Sequence, residues 1–451
     1  MPGGIPAMQR SLLVTRERPL SAPARSAGAA VSPDGCFGAI VVAVHRLDTV
    51  ALALGESAAR EVAQEFGRRI RNWASEDDDV RDLGDGRFAV IVAALDRVVA
   101  TARCAVLADL LATAVETTRG PVVRAAAIGV ACDEERVTEP GVPELLMRAD
   151  QALGWAAAGN EVVRIWDRED AERERLAAGL ELRLQEALRT GSELFLHYQP
   201  EVGLRDGRLV AVEALVRWRH PELGMVGADM IVSIAEASGL IVALGRWALE
   251  QACAQRARWA ARFPGTDFVV HVNVSPTQLQ RDPGLPRYVG ALLARHQLRG
   301  CQLGVELTEE VRTLDSPRAI ASLAALRRLG VQIVIDDFGV AHSSPARLDD
   351  FPFDTVKIDG RFIHGPGARA RTSETTRYVV STLVHLAERV GMVVVAEGIE
   401  TPGDIAELVA LGCHRGQGNG LLAAVDAQRL EPVIAAGGID LPTAGPRRAA
   451  V

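Results

Sequence analysis

Lysine is almost absent from this sequence. The 50 lysine and arginine residues include a single lysine, Lys357, and all the others are arginine. A bias of this strength is typical of a genome-wide preference and implies nothing about most positions. Because a compact ammonium and a planar guanidinium are not interchangeable, the one exception indicates a position that needs an ammonium.

Several other features are also missing. The six cysteines lie far apart and form no CxxC pair, which argues against a disulfide framework or a zinc site and favours reduced thiols in the cytoplasm. No apolar run reaches the length of a membrane span, and the N-terminus lacks the pattern of a secretion signal. The net charge of −8 disfavours binding to a nucleic-acid backbone. We therefore expect a cytoplasmic protein with no DNA partner and no membrane partner.

The composition is that of a globular protein with more than one domain. Hydrophobic residues make up 48% of the chain and charged residues 24%. A length of 451 residues predicts about two or three domains. We divide the chain into a disordered leader at 1–30, an α+β domain at 31–168, a connector helix at 169–188, a second domain at 189–437 and a flexible tail at 438–451.

The two domains differ in periodicity. The first has a strand at 39–44 and apolar residues at helical spacing over 51–73 and 94–117, in a βαββαβα-like order. The second begins with two strands joined by a turn at 205–207. About eight strands alternating with helices over roughly 250 residues then give the rhythm of a (β/α)8 TIM-like barrel. The predicted fold class is α/β, with this barrel preceded by a smaller α+β domain.

Polar residues follow or interrupt the predicted strands of the second domain. The stretch at 331–339, VQIVIDDFG, joins an apolar strand to two adjacent carboxylates, which alone would fit a helix cap equally well. Five other strands behave in the same way, and the last strand offers Gln417. The complete set is Glu213, Arg217, Asn273, Glu306, Glu309, Asp336, Asp337, Lys357, Asp359, Glu397, Glu400 and Gln417. Because functional residues of such barrels lie at the C-terminal strand ends, we expect these side chains to share one site.

The residue types of this set indicate its chemistry. Carboxylates and an amide, without histidine or cysteine, form a hard oxygen-ligand set that suits Mg²⁺ or Mn²⁺. Two such ions sharing an aspartate would stabilise the attacking and leaving oxygens of a phosphodiester. A lysine can orient or deprotonate the attacking water, and Arg217 can bind a phosphate. The residues alone fit metal-dependent phosphodiester hydrolysis or, alternatively, an enolase-like proton abstraction.

The segment at 213–218, EALVRW, resembles the signature of the EAL domain, a family of cyclic di-GMP phosphodiesterases. The resemblance covers about 182–433 and continues in order through VNVS, ELTE, IDDFG, VKID, AEGIE and GQG. It implies hydrolysis of cyclic di-GMP to linear pGpG by a site with two Mg²⁺ or Mn²⁺ ions. It also implies a homodimer formed through the EAL domain, which is an argument by analogy.

The resemblance also assigns roles to residues. The metal ligands are Glu213, Asn273, Glu306, Asp336 and Asp337. The catalytic residues are Lys357, which positions the attacking water, with Glu397 and Glu213. The substrate-binding residues are Arg217, Gln417, Asp359 and Glu400. Glu309 braces the loop after the aspartates.

The sequence departs from the family pattern in its loops. Residues 340–345 read VAHSSP where the family has TGYSS and a leucine, so a glycine is replaced by Ala341 and Pro345 stiffens the segment. The family's YLF reads Asn419-Gly420-Leu421, and Gly227 stands where proline is common. The ligand set is intact. The alternative to an enzyme is therefore a weak or inactive cyclic di-GMP-binding effector that acts through an unidentified regulatory protein. A scaffold without nucleotide or metal is disfavoured, because converging carboxylates cost stability.

The first domain resembles the GGDEF diguanylate cyclase domain more weakly, through the scaffold segments at 88–90 and 148–153. The five-residue signature reads GDGRF, with Gly86 and Arg87 at the acidic positions. Ala43 and His45 stand where the upstream strand should supply acids, and Ser75 replaces the arginine of the inhibitory site. Without these acids two metals cannot be held on GTP. We predict a degenerate GGDEF-like regulatory domain without cyclase activity.

Overall fold

A computed structural model describes residues 37–92, 95–132, 141–159, 161–308, 316–338, 353–361 and 374–441. The chain divides into two compact units, Met1–Glu174 and Arg175–Val451. The helix α5, Arg168–Thr190, contains this boundary and includes the expected connector at 169–188. In the described part of the chain no helix is both long enough and apolar enough to cross a membrane.

The first unit is an α+β domain built on a five-stranded sheet in its described residues. Its strands are β1 Gly38–Val44, β2 Asp79–Gly84, β3 Arg87–Val92, β4 Val115–Thr117, β5 Gly120–Val122, β6 Ala126–Cys132 and β7 Val163–Ile165. Its helices are α1 Leu47–Leu54, α2 Glu56–Trp73, α3 Arg97–Leu111 and α4 Val142–Gly159. The sheet order is β2-β3-β1-β6-β7, while β4 and β5 form a separate hairpin. Apolar clusters cover both faces of β1, with Ile40 and Val42 in one and Ala39 and Val41 in the other.

Two helices of the first unit differ from the sequence prediction, one by an interruption and one by its length. The helix predicted at 51–73 is two helices, α1 and α2, separated by Gly55. This glycine has a φ of 92°, which a residue with a side chain rarely adopts. The helix predicted at 94–117 covers only Arg97–Leu111, and Val115–Thr117 is a short strand.

The second unit contains the predicted barrel. Its strands are β8 Leu194–Gly203, β9 Leu209–His220, β10 Gly224–Val226, β11 Val269–Asn273, β12 Leu303–Thr308, β13 Gln332–Phe338, β14 Thr355–Ile358, β15 Val393–Ala396 and β16 Arg415–Gly416. Its further helices are α6 Ala228–Ser238, α7 Ile241–Arg262, α8 Pro276–Arg281, α9 Leu285–Arg295, α10 Pro317–Arg328, α11 Glu374–Arg389, α12 Pro402–Ala410 and α13 Ala427–Ala436. A short 3₁₀ helix at Gly300–Gln302 precedes β12.

Strand pairing closes the barrel. Within the described residues the order is β9-β11-β12-β13-β14-β15-β16-β8, and β8 also pairs with β9. β10 is an additional strand that pairs with β9 outside the ring. The expectation of a TIM-like barrel is therefore confirmed. Buried leucines such as Leu249, Leu292 and Leu323 pack the surrounding helices into the core, and each contributes roughly 2 kcal/mol.

One strand departs from a uniform (β/α)8 barrel. β8 is antiparallel to both of its neighbours, β9 and β16. Only five residues, 204–208, connect β8 to β9, and a parallel connection needs about a dozen or more. Gly207 makes this turn possible with a φ of 69°. Its carbonyl accepts a hydrogen bond of 2.8 Å from Ile439, so part of the expected tail at 438–451 packs on the turn.

Candidate functional site

Lys357 lies inside the barrel on β14 and is fully buried, with 0% of its surface exposed. Its Nζ donates to Glu213 Oε2 on β9 and to Glu306 Oε2 on β12, each at 3.1 Å. Glu397, which follows β15, approaches the same Nζ with its Oε1 at 2.8 Å. The ammonium therefore contacts described carboxylates from three different strands. A compact ammonium can contact all three carboxylates from one point, which fits the expectation that this position needs an ammonium.

Burial and charge set the protonation of the cage. Although burial opposes its charge, the surrounding carboxylates raise the pKa of Lys357 well above its usual value. Burial also opposes ionisation of Glu213, but Lys357 and the neighbouring amides lower its pKa to about 2. Burial and the charge of Glu213 raise the pKa of Glu306 to about 7. Burial raises the pKa of Glu397 well above its ordinary value, with Lys357 acting in the opposite direction. The cage thus contains more carboxyl groups than one ammonium can neutralise.

Two amides complete the surroundings of Glu213. Asn273, the last residue of β11, donates from Nδ2 to Glu213 Oε1 at 2.7 Å. Gln417, which follows β16, donates from Nε2 to Glu213 Oε2 at 2.5 Å. Both amides therefore direct their nitrogen to the carboxylate. The buried Oε1 of Gln417 has no hydrogen-bond partner among the residues described.

The arrangement fits a hard divalent cation. Glu213, Glu306 and Asp336 each offer one oxygen, and these oxygens lie within 4.8 Å of one another. Thr308 is paired with Asp336 in the strand register, and its buried Oγ1 lacks a hydrogen-bond partner within the described ranges. An all-oxygen donor set of this kind suits Mg²⁺ or Mn²⁺ better than zinc. Three of the sequence-predicted ligands are thus brought together, with Asn273 beside them.

The other predicted site residues either lie around this cluster or fall outside the residues that the structure describes. Arg217 lies on β9, after Glu213. Its Nη1 donates to the carbonyl of Val216 at 2.9 Å, and burial lowers its pKa. Asp359, beyond the end of β14, accepts hydrogen bonds from the backbone and guanidinium of Arg361. Glu400, beyond β15, is exposed. Glu309, the segment at 340–345 and the side chain of Asp337 lie outside the described residues.

Sequence reasoning missed a layer of polar residues one step deeper in the barrel. His271 on β11 is 1% exposed, and its Nδ1 lies 2.9 Å from Glu306 Oε1. The same Nδ1 lies 3.7 Å from Glu201 Oε2 on β8, and Glu201 is also 1% exposed. Burial opposes protonation of His271, but Glu306 and Glu201 raise its pKa.

A signal for this layer is present in the sequence. His271 lies two residues before Asn273, and residues two apart on a strand face the same side. Gln199 and Glu201 alternate on β8 in the same way. Gln199 receives a hydrogen bond of 3.3 Å from Gln417. Attention to strand ends alone therefore omitted functional candidates in strand interiors.

Comparisons with known proteins identify the second unit. The family model of the EAL domain matches residues 181–423, more than half of the chain. An uncharacterised protein of Mycobacterium tuberculosis is 33% identical over 386 residues, which cover 85% of this chain and 61% of that protein. The chain thus spans less than two thirds of this relative. A second M. tuberculosis protein is 37% identical over 226 residues, covering 50% of this chain and 73% of its own length.

Solved structures agree with this match. A structure named PaMucR phosphodiesterase in complex with c-di-GMP is 35% identical, with a TM-score of 0.52, and the match covers 56% of this chain and 99% of that one. The EAL enzyme Bd1971 in a cAMP-bound form is 27% identical, with a TM-score of 0.54, over 70% of this chain and 83% of that one. The family match begins within α5 and does not assign the first unit. By its sequence and its barrel, the chain belongs to the EAL domain family.

Proposed function

We propose that the second unit hydrolyses cyclic di-GMP to linear pGpG and that it requires Mg²⁺ or Mn²⁺. The observation that carries this proposal is the cage in which Lys357 meets Glu213, Glu306 and Glu397 beside Asp336. The chemistry of the cage matches metal-assisted phosphodiester cleavage. The PaMucR phosphodiesterase, 35% identical, is described in complex with the same nucleotide.

Two ions per site would be held by oxygen ligands. The first would be bound by Glu213, Asn273, Glu306 and Asp336, and the second by Asp336 and Asp337. When bound, the ions would supply Lewis acidity to the phosphodiester and to the attacking oxygen. Glu309 would brace the loop that follows the aspartates. The fit rests on the cluster of Glu213, Glu306 and Asp336 oxygens within 4.8 Å of one another.

The protein's own groups would orient the reactants and carry the proton. Lys357 would position the attacking water through the carboxylates that its ammonium holds. Glu397 is the most exposed carboxylate of the cage at 18%, so among the three it would be the one best placed to accept a proton from the attacking water. Arg217 would bind a phosphate and Gln417 would lie along the substrate. Asp359 and Glu400 would contact substrate from beyond the strand ends.

We further propose that the first unit is a degenerate GGDEF-like regulatory domain without cyclase activity. The third and fourth signature positions are Gly86, in the turn between β2 and β3, and Arg87, the first residue of β3. Arg87 forms an ion pair with Asp150 of α4, so a cation takes the place of the acidic neighbour, while Gly86 takes the place of the metal-side acid. Two metals on a triphosphate could not be held there.

The alternative is a cyclic di-GMP-binding effector with weak or no turnover, acting through an unidentified regulatory protein. The sequence at 340–345, VAHSSP, favours it, since this segment replaces a family loop next to the metal ligands. A homodimer through the EAL domain fits either reading. In both cases the nucleotide is the ligand, and only the fate of its phosphodiester differs.

One experiment separates the two. The full chain is incubated with cyclic di-GMP and Mn²⁺, pGpG is followed by chromatography, and nucleotide binding is titrated in parallel. The enzyme is supported if hydrolysis is lost in Glu213→Gln and kept in Glu222→Gln. Glu222 is an exposed glutamate between β9 and β10. Binding without pGpG supports the effector. A protein that neither binds cyclic di-GMP nor forms pGpG contradicts both the enzyme and the effector.

A further inference from the structure

The two oxygens of Glu306 have different basic partners. Oε2 accepts a hydrogen bond of 3.1 Å from Lys357 Nζ. Oε1 lies 2.9 Å from His271 Nδ1. A carboxylate held by Lys357 alone could still turn about its own axis. With a second nitrogen on the other oxygen, the plane of the carboxylate is fixed, and each oxygen keeps a second lone pair for a cation.

His271 is itself held from below. Glu201 Oε2 lies 3.7 Å from His271 Nδ1, beyond hydrogen-bond distance, so Glu306 Oε1 at 2.9 Å is the nearer of the two carboxylates. Arg415 of β16 donates from Nη1 to Glu201 Oε1 at 3.4 Å. Arg415, Glu201 and His271 thus form a column of ionisable groups that ends on Glu306. Mutual neutralisation is what permits ionisable groups to be buried inside the barrel.

The backbone leaves room for this column. Gly304 on β12 is paired with His271 in the strand register. A β-carbon on Gly304 would lie 2.3 Å from His271 Cδ2, so the imidazole occupies space that a side chain would fill. Gly304 also precedes Glu306 by two residues on the same face. The strand that carries the carboxylate is therefore the strand that makes room for its partner.

We propose that His271 is a positioning residue for Glu306. Its Nδ1, 2.9 Å from Oε1, holds the carboxylate from inside the barrel in the orientation that reaches a divalent cation. This inference rests on the proposed function, because it gives Glu306 a metal to bind. Hydrogen-bond partners that orient ligating groups typically change metal affinity by about 10- to 100-fold when they are removed.

The test measures Mn²⁺ binding without substrate. Free Mn²⁺ is titrated by electron paramagnetic resonance on the full chain and on His271→Ala, His271→Asn and Val270→Ala. We expect His271→Ala to bind at least about tenfold more weakly. His271→Asn should recover most of this loss, because its Nδ2 replaces the imidazole Nδ1. Val270→Ala, from the fully buried neighbour on the opposite face of β11, should bind like the wild type.

Two outcomes overturn the inference. One is His271→Ala binding Mn²⁺ as tightly as the wild type. The other is Val270→Ala losing as much affinity, which would make the effect one of general destabilisation. If His271→Ala does not fold, His271→Asn is compared with His271→Gln, whose amide nitrogen matches Nε2 instead. Equal affinities of those two variants also overturn it.

Failure of the proposed function has a different signature. A wild-type protein that binds Mn²⁺, loses affinity in His271→Ala and forms no pGpG contradicts hydrolysis while supporting the positioning role. Normal hydrolysis with equal Mn²⁺ affinities in both proteins contradicts the positioning role alone. A wild-type protein that binds no Mn²⁺ overturns both. Where hydrolysis occurs, a positioning defect should lower kcat at saturating nucleotide more than it raises KM.

Discussion

The imidazole of His271 fills the space beside Gly304, since a β-carbon on the glycine would lie 2.3 Å from Cδ2 of the ring. We predict that Gly304→Ala displaces the ring and weakens Mn²⁺ binding about tenfold, close to the effect of removing the imidazole. Gly227→Ala, where the added carbon meets nothing within 4 Å, is the matched control. Because both changes act through one contact, Gly304→Ala combined with His271→Ala should cost less than the sum of the two. Losses of Mn²⁺ affinity that are strictly additive would contradict a direct contact between the two positions.

Lys357→Arg should abolish hydrolysis, with a loss of at least about 100-fold. The guanidinium is larger and planar, so it cannot contact Glu213, Glu306 and Glu397 from one position. Product formation is measured on full-length protein with Mn²⁺. Arg219→Lys, which changes an exposed arginine on β9 in the opposite sense, controls for substitution itself. Undiminished hydrolysis in Lys357→Arg removes the special role of the ammonium.

Lys357→Met tests stability instead of turnover. It leaves Glu213, Glu306 and Glu397 buried together without their cation. Removing one partner of a buried ion pair costs about 3–5 kcal/mol, so the unfolding midpoint in urea with EDTA should fall markedly. Mn²⁺ should restore part of the loss, because it supplies positive charge to the same carboxylates. A variant as stable as the wild type in EDTA would be inconsistent with the cage.

Metal should stabilise the folded protein through the acidic cluster. An ion present at 100 times its dissociation constant contributes about 2.7 kcal/mol, so Mn²⁺ should raise the melting temperature and EDTA should reverse this. Asp336→Asn should lose most of the shift, since Asp336 belongs to the oxygen cluster. Asp440→Asn, at an exposed residue, should keep it. Equal shifts in both variants would place the ion elsewhere.

Glu65 gives a pH-dependent prediction for the first unit. Hydrogen bonds from Arg68 and Arg69 lower its pKa to about 2 although burial opposes this, and Arg69 also donates to the carbonyls of Thr113 and Ala114 after α3. The contribution is present above the ordinary pKa of 4.5 and is lost as the pH falls towards the folded value. Glu65→Gln should therefore cost up to about 1 kcal/mol at pH 7 and progressively less below about pH 4.5. Urea unfolding of both proteins across this range checks the trend.

The barrel and its cage were accessible from the sequence for local reasons. Several parallel strands contain a short apolar run, and a carboxylate follows the run directly, as at Glu306 and Asp336. Lys357 stood out by rarity alone. The reversed direction of β8 was harder to predict, because the turn before β9 is local whereas its effect on barrel closure is not.

Periodicity places His271 on the same face of β11 as Asn273, but it does not show what the imidazole contacts. His271 is the one polar residue within VVHV, and its role depends on Gly304 and Glu306 on the neighbouring strand. Register between strands is set by long-range packing rather than by the pattern of either strand. In the first unit, one glycine with a positive φ, Gly55, divided a continuous apolar pattern into two helices. Periodicity locates helical faces better than it locates helix ends.

The chain possesses one ε-amino group, and the barrel wall conceals it completely. An acylating reagent in solution therefore meets Lys357 only when the surrounding strands separate. The rate of its acylation therefore reports how often the barrel opens, and mass spectrometry can measure it without an engineered label. Any ligand that stabilises the closed barrel should lower this rate.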